Sequence, residues 1–214
     1  MAAFKILDKI ECSDDHLDGL LRSIRDKTIE CSNHVIVNGD NRFWNVSHAG
    51  SEIVDAFRSL AISCYSAEFG CSPKHVIIMA NHISAESCPA GSGGGWHIDS
   101  FVNQYKLFMY LTDCLDARHG PLTLFSSGKY LKDKIEIFKN YLTNNKFRFA
   151  DRRVEQLRGR GFSESEVLLS KLTPFFVNTS SIHRGAPISY GERIMLTAYL
   201  FNKIPPSIQK RIVK

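Results

Sequence analysis

The chain has 214 residues, of which 43% are hydrophobic and 23% are charged, and its formal net charge is +5. This length suits one sizeable core, and the composition excludes a largely disordered chain. No apolar run approaches the roughly 18 residues that a membrane-spanning helix needs. No basic motif interleaved with aromatic residues indicates nucleic-acid binding. We therefore expect one domain over residues 1–214, without a membrane span and without a nucleic-acid partner.

The cysteine pattern predicts a reducing compartment. Six cysteines occur without any Cys-x-x-Cys pair, and the first residues, MAAFKILDKIECSDD, lack the basic and apolar segments of an export signal. Reduced thiols in the cytoplasm are the simplest interpretation.

Residues 1–74 are predicted to form a mostly helical buttress. Ser13 suits a helix N-cap, and the apolar residues that follow it recur at helical intervals. A second amphipathic stretch covers about residues 51–69. The first stripe comprises Leu17, Leu20, Leu21, Ile24 and Ile29, and the second Ile53, Val54, Phe57, Leu60, Ala61 and Cys64.

From Val76 onward the pattern changes to short runs of β-branched and aromatic residues, which predict strands. The runs are VIIMANHI, YKLFMYLT, FFVNTSSIH and RIMLTAYLF. A helical insertion at about residues 130–170 separates the second run from the third, and the Ser163–Glu166 segment resembles a capping box that would begin a further helix. The fold class is therefore mainly β, predominantly antiparallel, with flanking helices and a core over residues 75–201.

The first candidate site residues lie in the segment Gly-Trp-His-Ile-Asp at positions 95–99. Side chains alternate along an extended strand, so His97 and Asp99 project from the same face and can hold a divalent metal together. The His-x-Asp pattern is common by chance and needs support from elsewhere in the chain.

That support comes from His183, which ends one predicted strand, and Arg193, which begins the next. Two histidines and one carboxylate occupy one face of an octahedron and leave three positions open, as in non-haem iron(II) oxygenases, whereas structural zinc closes its sphere with a fourth protein ligand. A chelating oxoacid such as 2-oxoglutarate takes two open positions and dioxygen the third. The far carboxylate of the oxoacid needs a cationic anchor, and Arg193 is the candidate.

The order of these motifs resembles the phytanoyl-CoA dioxygenase family of iron(II)/2-oxoglutarate-dependent oxygenases over roughly residues 75–201. The segment from Pro89 to Asp99 is similar to the family's loop before its first ligands, and His119-Gly120-Pro121-Leu122 to its turn. The run from Asn178 to Gly185, with Arg193 beyond it, is similar to the family's distal ligand and oxoglutarate anchor.

The resemblance implies a double-stranded β-helix, the jelly-roll fold of cupin-like proteins, with iron on His97, Asp99 and His183 and 2-oxoglutarate on Arg193. It implies hydroxylation of an unactivated C–H bond, with release of succinate and carbon dioxide, and Asp99 favours this outcome over halogenation. One departure concerns Phe125–Lys129, where the family usually continues Pro-Gly-Ser-His. That loop commonly borders the substrate pocket, so the resemblance does not identify the substrate, and demethylation stays open.

Three further features near the predicted site have alternatives. Asn81 and His82, at the end of a predicted strand, are candidates for hydrogen bonding to the oxoacid or the substrate, against an interpretation as strand-edge polar residues. The glycine-rich loop from Ser87 to Gly95 could act as a lid or serve as a turn.

Two other functions compete with the oxygenase. A cupin-type metal enzyme that is not an oxygenase would use the same three ligands without needing Arg193, and a catalytically silent barrel could act as a binding module. Besides dioxygen, the expected partner is a small-molecule substrate, and the mild basic bias would suit an anionic one. The sequence does not predict an oligomeric state.

Overall fold

The computed structural model describes residues 4–46, 52–93, 95–143 and 147–212. The strands are β1 Phe4–Ile6, β2 Cys31–Val37, β3 Asp40–Val46, β4 His75–Ser84, β5 Tyr105–Tyr110, β6 Leu122–Ser126, β7 Ser163–Glu166, β8 Pro174–Asn178, β9 Ile182–Gly185 and β10 Glu192–Phe201. The helices are α1 Asp14–Arg25, α2 Glu52–Phe69, α3 Tyr130–Thr143, α4 Asp151–Arg158 and α5 Pro206–Ile212, with a short 3-10 turn at Ala117–His119.

Two antiparallel sheets form the core of the molecule. The large sheet has the strand order β1-β8-β5-β10-β4-β3-β2, and the small sheet has the order β7-β6-β9. The prediction of a mainly antiparallel β fold with flanking helices is confirmed.

Side chains alternate along β10 between the outer and the inner face of the large sheet. Ile194, Leu196 and Ala198 point outward and join the buried side chains of α1 and α2 in the largest apolar cluster. Both predicted helices are present, and α1 begins at the predicted cap, where the backbone amide of His16 donates to Ser13 Oγ at 3.3 Å. The outer layer is thus a conventional amphipathic one.

The inner faces of the two sheets meet in a second apolar cluster. Phe108 and Phe175 from the large sheet pack with Leu122 and Leu124 from the small sheet. Such face-to-face packing leaves the inward positions at one end of the sandwich available to line a cavity.

The N-terminal third differs from the predicted helical buttress, because β1, β2 and β3 belong to the large sheet. The β2–β3 hairpin turns at Asn38 and Gly39, which have φ angles of 52° and 83°. An Asn-Gly pair between apolar runs is a strong hairpin signal, since a two-residue turn of this type needs positive φ at both positions. The buttress prediction overlooked it.

The insertion at about residues 130–170 contains α3 and α4, as predicted, and covers the outer face of the small sheet, where Ile137 and Leu157 pack with Phe125 and Ile182. The Ser163–Glu166 segment was predicted to begin a helix, and this prediction is wrong. It forms β7, which pairs with β6. Alternating serine and glutamate suits an exposed edge strand as well as a helix start, and pairing with β6 decides the outcome.

Two expectations about the chain as a whole can be compared with the structure. The six cysteines all lie in the described ranges, and none of them forms a disulfide. Within the described ranges, no helix has both the length and the apolar character needed to cross a membrane.

Candidate metal centre and cavity

Backbone pairing brings the two predicted histidine ligands together. His97 and His183 face each other across a short antiparallel bridge, and each amide donates to the other's carbonyl, at 2.9 and 2.8 Å. The amide of Asp99 donates to the carbonyl of Thr179 at 3.0 Å. The His-x-Asp segment therefore runs beside β9, and residues 86 positions apart in the chain share one face.

The orientation of both imidazole rings is fixed by main-chain carbonyls. His97 Nδ1 lies 2.9 Å from the carbonyl oxygen of Gly95, and His183 Nδ1 lies 2.9 Å from that of Ser181. A carbonyl oxygen only accepts, so each Nδ1 donates a proton to its carbonyl, and Nε2 is the ring atom left to bind a metal. This is the arrangement that orients histidine as a metal ligand.

The Asp99 carboxylate lies between the two Nε2 atoms. Asp99 Oδ1 is 3.9 Å from His97 Nε2, and Oδ2 is 3.4 Å from His183 Nε2 and 2.8 Å from Lys106 Nζ. Burial alone would raise the pKa of Asp99, but the charge of Lys106, followed by the neighbouring His183, outweighs it and holds that pKa well below its usual range. Burial and then the neighbouring His183 lower the pKa of His97 to about 3. The carboxylate is therefore ionised and the His97 ring neutral at physiological pH, which is the protonation state of a ligand set.

The three side chains fit a metal ion. One donor atom from each of His97, Asp99 and His183 lies within 4.8 Å of the other two, close enough to converge on one cation. Nitrogen and oxygen donors in a 2:1 ratio suit iron(II), and three protein ligands leave coordination positions for other molecules.

A cavity of about 560 Å³ adjoins the three residues. Inward-facing residues of the large sheet, the glycine-rich loop and α5 form its wall. Its cationic lining residues are Arg42, Lys106, Arg148 and Arg211. Two of these are paired within the cavity, Arg42 with Asp40 at 2.6 Å and Lys106 with Asp99.

Arg193 is buried on the inner face of the large sheet, with 1% of its surface exposed. Its guanidinium donates to the carbonyl of Gly120 and, at 2.7 Å, to the hydroxyl of Ser92 in the glycine-rich loop. Ser92 and Gly185 line the cavity, whereas Arg193 lies behind them. The predicted anchor therefore does not line the cavity itself but contacts Ser92, a loop residue that does.

The two polar candidates on β4 point to opposite faces. Asn81 is 1% exposed and lines the cavity, where its amide donates to Asp40 and its carbonyl oxygen has no hydrogen-bond partner. His82 points outward and pairs with Glu192 at 2.8 Å. The structure thus brings Asn81 to the cavity but not His82, because neighbouring residues of a strand alternate.

Lys106 and Thr197 were overlooked by the sequence interpretation. Lys106 is buried between Asp99 and the ring of Tyr199, whose centroid lies 4.1 Å from Nζ. Thr197 is 1% exposed and its hydroxyl has no hydrogen-bond partner. The signal was available, since a lysine inside the run YKLFMYLT and a threonine inside RIMLTAYLF are polar residues at buried strand positions.

At the level of sequence, neither a protein-family model nor a curated protein matches the chain. The resemblance to the phytanoyl-CoA dioxygenase family therefore stays a prediction.

Comparison with solved structures gives matches over most of the chain. HygX from Streptomyces hygroscopicus, crystallised with nickel, 2-oxoglutarate and hygromycin B, is 13% identical and matches 93% of this chain and 83% of its own, with a TM-score of 0.58. A prolyl-4-hydroxylase from Pseudomonas putida is 12% identical and matches 94% of both chains, with a TM-score of 0.55. The epimerase SnoN, in complex with Fe3+, alpha ketoglutarate and nogalamycin RO, is 15% identical and matches 93% of this chain and 79% of its own, with a TM-score of 0.60.

These matches confirm the predicted jelly-roll fold. At 12–15% identity they establish architecture and not activity.

Proposed function

We propose that the protein is an iron(II)/2-oxoglutarate-dependent dioxygenase that hydroxylates an unactivated C–H bond of a small metabolite or a carrier-linked substrate. In the balanced reaction, substrate, dioxygen and 2-oxoglutarate give the alcohol, succinate and carbon dioxide. The observation that carries the proposal is the convergence of His97, Asp99 and His183, with both imidazole rings oriented through Nδ1 by main-chain carbonyls. The jelly-roll likeness to structures that contain 2-oxoglutarate with nickel or iron supports it.

Bound iron would supply the oxidising chemistry, and the chain's own residues would prepare the site for it. His97 and His183 would present nitrogen donors whose directions are set by main-chain carbonyls. Lys106 holds one oxygen of Asp99 at 2.8 Å and balances its charge before any cation arrives. Since these groups are positioned in advance, little reorganisation would accompany binding.

Arg193 would bind the far carboxylate of 2-oxoglutarate. A guanidinium with 1% exposure, separated from the cavity by Ser92, provides a charge that water barely screens. The carboxylate would take over the hydrogen bond that Arg193 now donates to the hydroxyl of Ser92. Asn81 and Thr197, which carry unpartnered oxygen atoms on the same face, would serve the oxoacid or the substrate.

The substrate would be a small molecule with an anionic group. The cavity wall pairs Arg42 with Asp40 and Lys106 with Asp99 and also carries Arg211, which would attract an anionic group. Arg211 lies over the ring of Trp44, at 5.2 Å from its centroid. Two of the structural neighbours hold small molecules, hygromycin B and nogalamycin RO.

Anaerobic addition of iron(II) and 2-oxoglutarate tests the proposal directly. We expect the visible metal-to-ligand charge-transfer band of the chelate, and its loss in Asp99→Ala. Asp113→Ala, which removes an exposed carboxylate outside the cavity, is the matched control and should keep the band. A parent protein that binds iron(II) but forms no band with 2-oxoglutarate would contradict the assignment. Succinate release can then be used to screen anionic substrates.

A cupin-type metal enzyme that does not use 2-oxoglutarate is the second candidate. It is favoured by one observation, namely that both terminal nitrogens of Arg193 already donate a hydrogen bond within the protein, Nη1 to Gly120 and Nη2 to Ser92. Under the main proposal, Arg193→Ala should weaken 2-oxoglutarate binding by about 10- to 100-fold, the equivalent of a lost charge-assisted hydrogen bond. Iron stoichiometry should not change. Full activity of Arg193→Ala would favour the second candidate.

A further inference from the structure

An exposed apolar surface lies along α3, on the insertion. Fifteen large hydrophobic residues of the described chain are exposed, and seven of them fall within residues 130–147. They are Tyr130, Leu131, Ile135, Phe138, Tyr141, Leu142 and Phe147, and we call them the α3 face. Exposed apolar patches of this extent commonly mark an interaction surface.

Unlike an ordinary surface helix, which buries its apolar stripe, α3 buries one apolar residue, Ile137, and leaves most of its apolar residues exposed. Toward the protein it places Glu136 and Asn140, which are 5% and 1% exposed. Glu136 is held there by ion pairs to Arg153 at 2.6 Å and Arg160 at 3.0 Å, and Asn140 donates to the carbonyl of Arg148. These polar contacts hold two of the three buried residues of α3, and the α3 face stays exposed.

The stripe has the spacing of a helix-pairing seam. Leu131, Ile135, Phe138 and Leu142 follow one another at intervals of four, three and four residues. This is the a/d repeat with which one α-helix packs on another. The spacing also reads the same in both directions, so an antiparallel copy would set Leu131 against Leu142 and Ile135 against Phe138.

The area of the α3 face matches what a stable dimer needs. Its seven side chains are between 37% and 71% exposed. With roughly 200 Å² for a fully exposed side chain of this size, the face offers about 700 Å². A typical specific interface buries about 800 Å² on each partner.

We propose that α3 pairs antiparallel with α3 of a second copy of this chain, forming a two-fold symmetric dimer. The α3 face reaches the mouth of the cavity, because Phe147 both packs against Tyr141 and lines the cavity. The second copy would therefore border the entrance. The proposal does not depend on the metal chemistry.

Sedimentation of the full chain across roughly 1–100 µM tests the proposal, since interfaces of this size bind at micromolar concentrations or tighter. We expect a species of twice the 24.2 kDa chain mass. Ile135→Asp and Phe138→Asp should both sediment as monomers, with unchanged circular dichroism. Leu115→Asp, which changes a 59% exposed leucine elsewhere, is the control and should stay dimeric. A monomer at every concentration, or a dimer that persists in both α3 variants, would overturn the proposal.

Cysteine cross-linking tests the antiparallel arrangement. In a Cys71→Ser background, which removes the exposed native thiol, the double variant Leu131→Cys/Leu142→Cys should form disulfide-linked dimers on mild oxidation. Each single variant should not, because its cysteine would face a leucine. Linkage of the single variants would overturn the antiparallel pairing. Co-flotation with phosphatidylcholine–phosphatidylserine vesicles, lost in Phe138→Asp while the parent sediments as a monomer, would assign the face to a membrane and also overturn it.

Discussion

The two helical layers of the molecule cover their sheets in opposite ways. Against the large sheet, α1 and α2 bury leucine, isoleucine and phenylalanine side chains. Over the small sheet, α3 buries Glu136 and Asn140 beside a single apolar residue, Ile137, and leaves Leu131 and Leu142 exposed. The comparison shows that amphipathic spacing predicts a helix reliably, whereas the face it docks with depends on the partners available on the underlying surface.

The largest expected effect is the loss of unfolding free energy when a buried leucine of α1 is truncated. Leu17 is 1% exposed within the main apolar cluster. Leu17→Ala should lower the free energy of unfolding by about 3 kcal/mol, through lost burial and the cavity left behind. Denaturant unfolding measures this effect. A change below about 1 kcal/mol would show that α1 is not docked as described.

An intermediate effect is expected from Glu136, which anchors α3 by charge. Glu136→Gln should lower the free energy of unfolding at pH 7 by about 2 kcal/mol, less than for a fully buried pair, because the Lys139 and Arg160 side chains are 55% and 50% exposed.

The Glu136 substitution should also change the pH dependence of stability. Burial alone would raise the pKa of Glu136, but the hydrogen bond from Lys139 and the charge of Arg160 outweigh it and lower that pKa from its usual value of 4.5. A carboxylate with a lowered pKa stabilises the fold above its usual pKa, and this stabilisation is lost as the pH falls through the folded-state pKa. The difference between parent and Glu136→Gln in unfolding free energy should therefore shrink between about pH 5 and pH 3. A constant difference across that interval would contradict the role of the Glu136 charge.

The smallest effect on the free energy of unfolding is expected for Leu131, a leucine of α3 whose truncation can be compared with that of Leu17 in α1. Leu131 is 71% exposed, so Leu131→Ala should change the unfolding free energy of the monomer by less than about 0.5 kcal/mol. Denaturant unfolding at concentrations below dimer formation makes the comparison with Leu17→Ala. Equal losses of unfolding free energy in Leu131→Ala and Leu17→Ala would contradict the difference in burial between α3 and α1.

Much of the fold could be predicted from sequence because local patterns agreed with tertiary packing. The apolar runs that became β4, β5, β8 and β10 lie in the large sheet, where burial on both sides favours continuous apolar strands. The β2–β3 hairpin was missed although Asn38-Gly39 signals it, and Ser163–Glu166 carried a helix signal that strand pairing overrode.

The candidate site could be predicted from sequence only where its residues are related by a short, regular spacing. His97 and Asp99 share a face by alternation alone, but their approach to His183 depends on β9 pairing with the His-x-Asp segment, which no local pattern encodes. The same holds for Lys106, whose contact with Asp99 is made across the barrel. The alternation of side chains along a strand could also have predicted that Asn81 and His82 point to opposite faces of the sheet.

The central claim is that His97, Asp99 and His183 hold one iron ion together. Anaerobic equilibrium dialysis with iron(II), followed by metal analysis, tests it in the parent and in the three single alanine variants. We expect one iron per chain in the parent and loss of stoichiometric binding in His97→Ala, Asp99→Ala and His183→Ala alike, with unfolding transitions showing that each variant is folded. Retention of one tightly bound iron per chain in any folded variant of the three would contradict the claim.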